Sequence, residues 1–396
     1  MPGMDRPATR ILYVEGNVDG TIGGSYYSLF YLVAGLDRGR FEPIVVFATD
    51  NSLVPRFNAA GVRTMIRRPP QPTVMRSAIG GIIAKAANFI RGWMLEPARL
   101  AALLRSERIA LVHLNNSIVR NHSWMVAARL ARIPCITHER GINPRFPFRA
   151  RLLARRLAAV VCISRAVHDN FVANGLASLR LVTIHNGLDP AEMRVTRSTA
   201  EIRAELGISA QARVIGIVGN IKPWKGQEVV IRAIARLRDR FPDLVCLLIG
   251  DTSPDDSAYR AQILGQIADA GLAGRVLVTG FRRDVANYIA ALEILVHASV
   301  NPEPFGRVLL EGMALHKPLV ASNGGAVPEI VVDGGTGLLF TPGDSESLAA
   351  RLLVLLEDAE RLERMGNAGY QRMSSEFTIA HNVRTTQELY DEVLAS

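Results

Sequence analysis

Two carboxylates and a lysine carry the chemistry that this sequence most clearly offers. Asn301 to Glu329 reads NPEPFGRVLLEGMALHKPLVASNGGAVPE, so that Glu303 sits in a proline-bearing loop and Glu311 follows with seven residues between the two acids. A helix is predicted to start near Phe305 or Gly306. The start of a helix presents unpaired backbone N–H groups and the positive end of the helix dipole, a site for an anion such as a diphosphate. Carboxylates nearby accept hydrogen bonds from neutral hydroxyls but repel a bare phosphate. The ligand that suits both carries a diphosphate and sugar hydroxyls, as a nucleotide sugar does.

Upstream, a strand predicted over Arg213 to Val218 runs into Gly219-Asn220-Ile221-Lys222-Pro223-Trp224-Lys225-Gly226. The E-x7-E spacing inside EPFGxxxxEGMA is followed by KPLVAS, a GG pair, PEI and GLLFTPGD. Together these resemble the donor-binding half of the family 4 retaining glycosyltransferases, which have the GT-B fold. The ordered likeness runs from Gly219 to Asp344 and continues more weakly over the rest of the chain. The resemblance implies that Lys225 binds the donor diphosphate, Glu303 the hydroxyls of the transferred sugar and Glu311 the nucleotide ribose. Phe305, Gly306 and Arg307 then frame the donor-binding helix start. Asn220 stands where the family commonly has an arginine, which puts one phosphate contact in question, and Lys222 is the candidate substitute. Arg282 and Arg283 lie where relatives hold the base.

The first half holds further candidates. Gly23 and Gly24, between a strand at Arg10 to Glu15 and a helix, let the backbone approach something bulky or phosphorylated; in the family a GG loop here faces the donor diphosphate and acceptor. A plain tight turn is the other reading. No GxGxxG is present, so a dinucleotide is a weak reading. His138, at a strand end in His138-Glu139-Arg140-Gly141, resembles the family's donor-sugar contact, with a purely structural histidine as the competing reading.

These residues must be held by α/β units. Short apolar strands alternate with amphipathic helices along the whole chain, and loops after strand C-termini are where open α/β sheets bind ligands. With 396 residues, two domains are expected: residues 1–188 as an acceptor-side Rossmann-like domain and 189–376 as the nucleotide-sugar domain. By the resemblance, their parallel sheets face a central cleft and a last helix over 377–396 crosses back onto the first domain.

Charge divides the two halves. Residues 1–190 carry 25 Lys and Arg against 11 Asp and Glu, a net +14, while the remainder carries −5. The basic half points to an anionic partner. From Arg67 to Glu96, Ile79, Ile82, Ile83, Ala86, Ile90 and Trp93 recur at helical spacing with Arg76, Asn88 and Arg91 opposite. That is a basic amphipathic helix, expected to end or kink before Pro97, facing either a core or a membrane surface. Arg145, Arg149, Arg151, Arg155 and Arg156 follow within twelve residues, without the aromatic interleaving or motif of a nucleic-acid binder. Cys135, Cys162 and Cys246 lie apart in apolar runs and read as core residues of a reducing compartment. No signal peptide or spanning stretch is visible, so a cytoplasmic protein is expected, peripheral on the inner face of the membrane at most.

The resulting expectation is a hexosyltransferase that moves a sugar, with retention and without metal, from a nucleoside diphosphate to a hydroxyl acceptor. The acceptor is expected to be a lipid-linked or membrane-presented glycan in cell-surface polysaccharide synthesis. Asp255-Asp256 reads as a turn rather than a metal-binding DxD, and no cofactor is expected. Two alternatives stand beside it: a non-catalytic GT-B subunit that binds nucleotide sugar or scaffolds a membrane complex, and a sugar-nucleotide epimerase.

Overall fold

A computed structural model describes residues 7–18, 23–71, 73, 78–252 and 257–396. Asp255, Asp256 and Arg76, and the side chain of Ile79, lie outside the described residues.

Among the described residues, thirteen strands form two parallel sheets. The first contains β1 (Thr9–Glu15), β2 (Phe41–Phe47), β3 (Arg63–Ile66), β4 (Leu111–Leu114), β5 (Cys135–Glu139), β6 (Ala159–Cys162) and β7 (Leu181–Thr183), in the order β3-β2-β1-β4-β5-β6-β7. The second contains β8 (Arg213–Val218), β9 (Leu244–Ile249), β10 (Val276–Gly280), β11 (Ile294–His297), β12 (Leu319–Ser322) and β13 (Gly337–Phe340), in the order β10-β9-β8-β11-β12-β13. Near-continuous apolar runs such as ILYV and LVCLLI suit strands covered by helices on both faces, and β4, β5 and β6 of the first sheet and β11 and β12 of the second are buried end to end. In both sheets the strand order reverses once, between β1 and β4 and between β8 and β11. Loops diverge at such a point and leave a crevice at the strand C-termini.

The chain divides into two compact units, Met1–His185 with Ile379–Ser396, and Asn186–Thr378. The helix Ile379–Ala395 belongs to the first unit because Val383, Leu389, Tyr390 and Val393 enter its core beside Ile11, Tyr13 and Phe41. Each such apolar burial is worth about 1.5–3 kcal/mol, which fixes the helix without any hydrogen-bonded ladder to the sheet.

The amphipathic segment does not end before Pro97; its α-helical ladder is interrupted there instead. The chain stays helical from Ala78 to Ser106, through a π-helical turn at Arg91–Leu95, and Pro97 opens the following helix Glu96–Ser106 instead of ending one. A proline ring clashes with the carbonyl four residues back and supplies no N–H; widening the ladder for one turn absorbs the mismatch. Of the apolar side chains described here, Ala84 is buried, whereas Ile82, Ile83, Phe89, Ile90 and Met94 are exposed. The stripe therefore does not serve as a core face.

Candidate functional site

The second unit assembles its site from the two strands that flank its order reversal. Lys225 lies in the loop after β8 and Glu303 in the loop after β11. The loops are held together by backbone contact: Val300 N–H donates to Trp224 O (2.9 Å), and Gly226, at φ +76°, passes so close that a Cβ would stand 2.0 Å from Ala298 O. A second glycine locks Glu303 itself. Gly325, at φ +62°, lies where a Cβ would come within 2.2 Å of Glu303 O, and the next residue, Ala326, donates its N–H to that oxygen at 2.8 Å. Both positions demand the left-handed conformation and the missing side chain that only glycine supplies without strain.

Three donors converge on one carboxylate oxygen. Lys225 Nζ lies 3.0 Å from Glu303 Oε2, Ser299 Oγ donates to it at 3.0 Å and His297 Nε2 lies 3.2 Å away. Ser322 Oγ in turn stands 3.3 Å from His297 Nδ1 and orients the ring. Burial of Glu303 on its own would raise its pKa, but the hydrogen bond from His297 and the charge of Lys225 outweigh it and hold the carboxyl at about 2. Glu303 is thus an anion at any physiological pH. Its Oε1 has no partner among the described residues, which leaves one carboxylate oxygen to accept from a ligand hydroxyl. Lys225 also sits over the Trp224 ring, 4.1 Å from its centroid.

The helix after this loop runs Arg307–Ala314, with Gly306 at φ +91° as its N-cap and Phe305 buried just before it. Arg307 turns back to two acids: its Nε donates to Glu311 Oε1 at 3.0 Å and its NH2 to Glu192 Oε2 at 2.8 Å. The several N–H donors of one guanidinium let it bridge two carboxylates in this way. Asn220 is exposed, and its carbonyl accepts from Gln227 Nε2 at 3.1 Å. Lys222 is half-buried just upstream of the short helix Pro223–Lys225. Arg282 pairs with Glu205 at 3.2 Å and packs over Tyr288.

Sequence reasoning missed Glu192, His297, Ser299 and Ser322. His297 carried a signal, since it ends an apolar strand six residues before Glu303; Glu192 lies more than a hundred residues away and carried none.

His138, Gly23 and Gly24 belong to the first unit. Gly23 caps the helix Gly24–Ala34, and a Cβ at either glycine would meet nothing within 4 Å, so neither is required by close packing. His138 is buried at the C-terminal end of β5, its Nδ1 2.6 Å from His113 Nε2. Beside it, Asn115 donates to Glu15 Oε2 at 2.6 Å and accepts at its own Oδ1 from Arg140 NH2 at 2.7 Å. Glu139 is fully buried, accepts from Ile118 N–H at Oε1, and has no partner at Oε2 among the described residues. Burial pushes its carboxyl up to about 7. A cavity of about 160 Å³ opens at the C-terminal ends of β1 and β2, lined among others by Glu15, Arg67, Glu96, Arg120, Asn121 and Trp124.

Comparison with known proteins bears on the family and the fold. Residues 198–372 match the family model described as glycosyl transferases group 1, and residues 23–187 match a glycosyl transferase 4-like domain. The chain is 26% identical to the lipopolysaccharide core biosynthesis mannosyltransferase LpsB of Rhizobium meliloti, over 62% of this chain and 68% of that protein. It is 29% identical to the alpha-maltose-1-phosphate synthase of Mycolicibacterium smegmatis, over 70% and 80% respectively. Among solved structures, Anabaena HepE in complex with UDP superposes with a TM-score of 0.82 at 26% identity, covering 97% of this chain and 100% of that one. The same protein has been solved with UDP-glucose. With two parallel-sheet α/β units and both family models matched, the chain belongs to the family 4 glycosyltransferases of GT-B fold.

Proposed function

We propose that this glycosyltransferase moves a hexose from a uridine diphosphate donor to a hydroxyl acceptor, with retention and without a metal ion. The Lys225–Glu303 pair is the observation that carries the reading. Glu303 is a fixed anion with one oxygen left over, suited to accept from hydroxyls of the transferred sugar. Lys225, next to it, offers a cation to the diphosphate. Negative charge grows on the leaving diphosphate during transfer, and a lysine plus backbone amides stabilise it electrostatically without a divalent ion. Arg307 and Glu311 then hold the nucleotide ribose side, and His138 meets the transferred sugar. Same-face attack assisted by the donor phosphate follows from the family resemblance. The uridine choice rests on HepE, which has been solved with UDP and with UDP-glucose.

The acceptor in this proposal is a lipid-linked or membrane-presented glycan. Among the described residues no helix is long and apolar enough to cross a membrane. The exposed stripe Ile82, Ile83, Phe89 and Met94 supports a surface that rests on a bilayer instead. The helix Phe148–Ala154 exposes Phe148 and Leu152 and, with Arg145, Arg151 and Arg155, lines a hollow of about 400 Å³. Apolar side chains beside arginines match the interface of an anionic membrane.

The donor is tested by thermal stability with UDP, GDP, ADP and their hexose conjugates. A ligand bound only by the native state raises the melting temperature by mass action. Stabilisation by UDP and UDP-hexoses alone is expected; stabilisation by GDP or ADP species instead overturns the uridine assignment.

A further inference from the structure

Four buried side chains of the first unit form one unbroken hydrogen-bonded chain. Tyr13 Oη on β1 stands 2.8 Å from Tyr390 Oη on the C-terminal helix, Tyr390 Oη 2.6 Å from His113 Nδ1 on β4, and His113 Nε2 2.6 Å from His138 Nδ1 on β5. All four residues are 0–1% exposed. The two imidazole planes lie within 12° of each other. Because 2.6 Å is far shorter than the ~3.5 Å separation of stacked carbons, the rings meet edge to edge, and the bond runs within both planes. Burial lowers His113 to about 3 and His138 well below its ordinary value, so each ring is neutral and carries a single N–H.

A chain of this kind has two uniform directions that differ at its ends, while the mixed arrangement, with Tyr390 Oη accepting from both neighbours, leaves the buried Tyr390 O–H unpaired. In one, Tyr13 O–H donates to Tyr390, Tyr390 O–H to His113 Nδ1 and His113 Nε2–H to His138 Nδ1, leaving His138 with its proton on Nε2. In the other every bond reverses, His138 presents a bare Nε2, and the Tyr13 hydroxyl hydrogen points into the core. Tyr13 Oη has no partner among the described residues other than Tyr390. The reverse direction therefore strands a fully buried O–H, at a cost of about 1–3 kcal/mol. The forward direction strands nothing in the core.

We infer that Tyr390 and His113 are positioning residues that fix His138 as the Nε2–H tautomer, so that it acts as a hydrogen-bond donor to an oxygen of the transferred sugar and cannot serve as a base. The inference rests on the reading of His138 as a sugar contact. It also gives the C-terminal helix a chemical role: Tyr390, the residue by which that helix reaches the strand ends, sets the proton on a ring two residues further along the chain of bonds.

The test separates the tautomer from the contact. Imidazole ¹⁵N spectra of the whole chain are expected to show protonated Nε2 and bare Nδ1 at His138, and Tyr390→Phe, which removes the donor to His113, is expected to mix the two tautomers. Tyr13→Phe perturbs the same core but leaves Tyr390 free to donate, so the His138 pattern should survive it. In calorimetric titration, the gain in affinity of UDP-glucose over UDP should fall about tenfold in Tyr390→Phe while the affinity for UDP holds. A proton on Nδ1 of His138 in the unmodified protein, or a spectrum unchanged by Tyr390→Phe, overturns the positioning role. An unchanged UDP-glucose increment in His138→Ala overturns the sugar contact instead.

Discussion

Lys225 Nζ and Glu303 Oε2, 78 residues apart in sequence, stand 3.0 Å from each other across the order reversal of the second sheet. A cation that neutralises an acid in the free protein is also the nearest cation for an incoming diphosphate. Lys225→Ala is expected to weaken UDP binding by one to two orders of magnitude, about 1.4–2.8 kcal/mol, and Lys222→Ala by much less. Equal losses in the two variants would remove Lys225 from its assigned place.

Glu303→Gln keeps the shape of the side chain and removes its charge. Turnover is expected to drop at least 100-fold, about 2.7 kcal/mol of lost transition-state stabilisation, while the melting-temperature shift induced by UDP persists. A variant that turns over at the normal rate would show that the carboxylate does not serve the reaction.

Two buried acids should give opposite pH signatures. Glu303 is held at about 2, below its ordinary 4.5; its contribution, on the order of 3 kcal/mol, is present above pH 4.5 and lost as the pH falls through 2. Glu139 is raised from 4.5 to about 7 by burial, so its favourable state is the protonated one, present below pH 4.5 and lost as the pH rises through 7. Glu139→Gln should therefore match the unmodified protein at pH 5 and exceed it in melting temperature at pH 8. A variant less stable at both values would refute the buried neutral acid.

Gly325→Ala should damage the site from behind. A left-handed residue with a Cβ costs about 1–2 kcal/mol, and this Cβ would lie 2.2 Å from Glu303 O. The Glu303 loop must move. Thermal melting is expected to fall by several degrees and activity with it; retention of both would mean that the loop yields without consequence.

The exposed stripe predicts vesicle binding. Phe89→Ser with Met94→Ser is expected to weaken sedimentation with phosphatidylglycerol vesicles at least tenfold, since burying each such side chain is worth about 1.5–3 kcal/mol. Phosphatidylcholine vesicles should bind more weakly from the start, because Arg149, stacked over Phe89 and Trp93, and its neighbouring arginines meet no anionic headgroups there. Equal binding by the double variant would detach the stripe from any membrane role.

The sequence by itself determined the strand and helix alternation and the placement of β8 to the residue, because these rest on local periodicity, glycine positions and short-range spacing. Tertiary structure alone decided which partners each acid keeps. Glu192 reaches Arg307 across 115 residues and Tyr390 reaches His113 across 277, distances over which sequence spacing holds no information. It also decided which face of the helix after Pro70 stays exposed, since periodicity shows that an apolar stripe exists but not whether another element arrives to cover it.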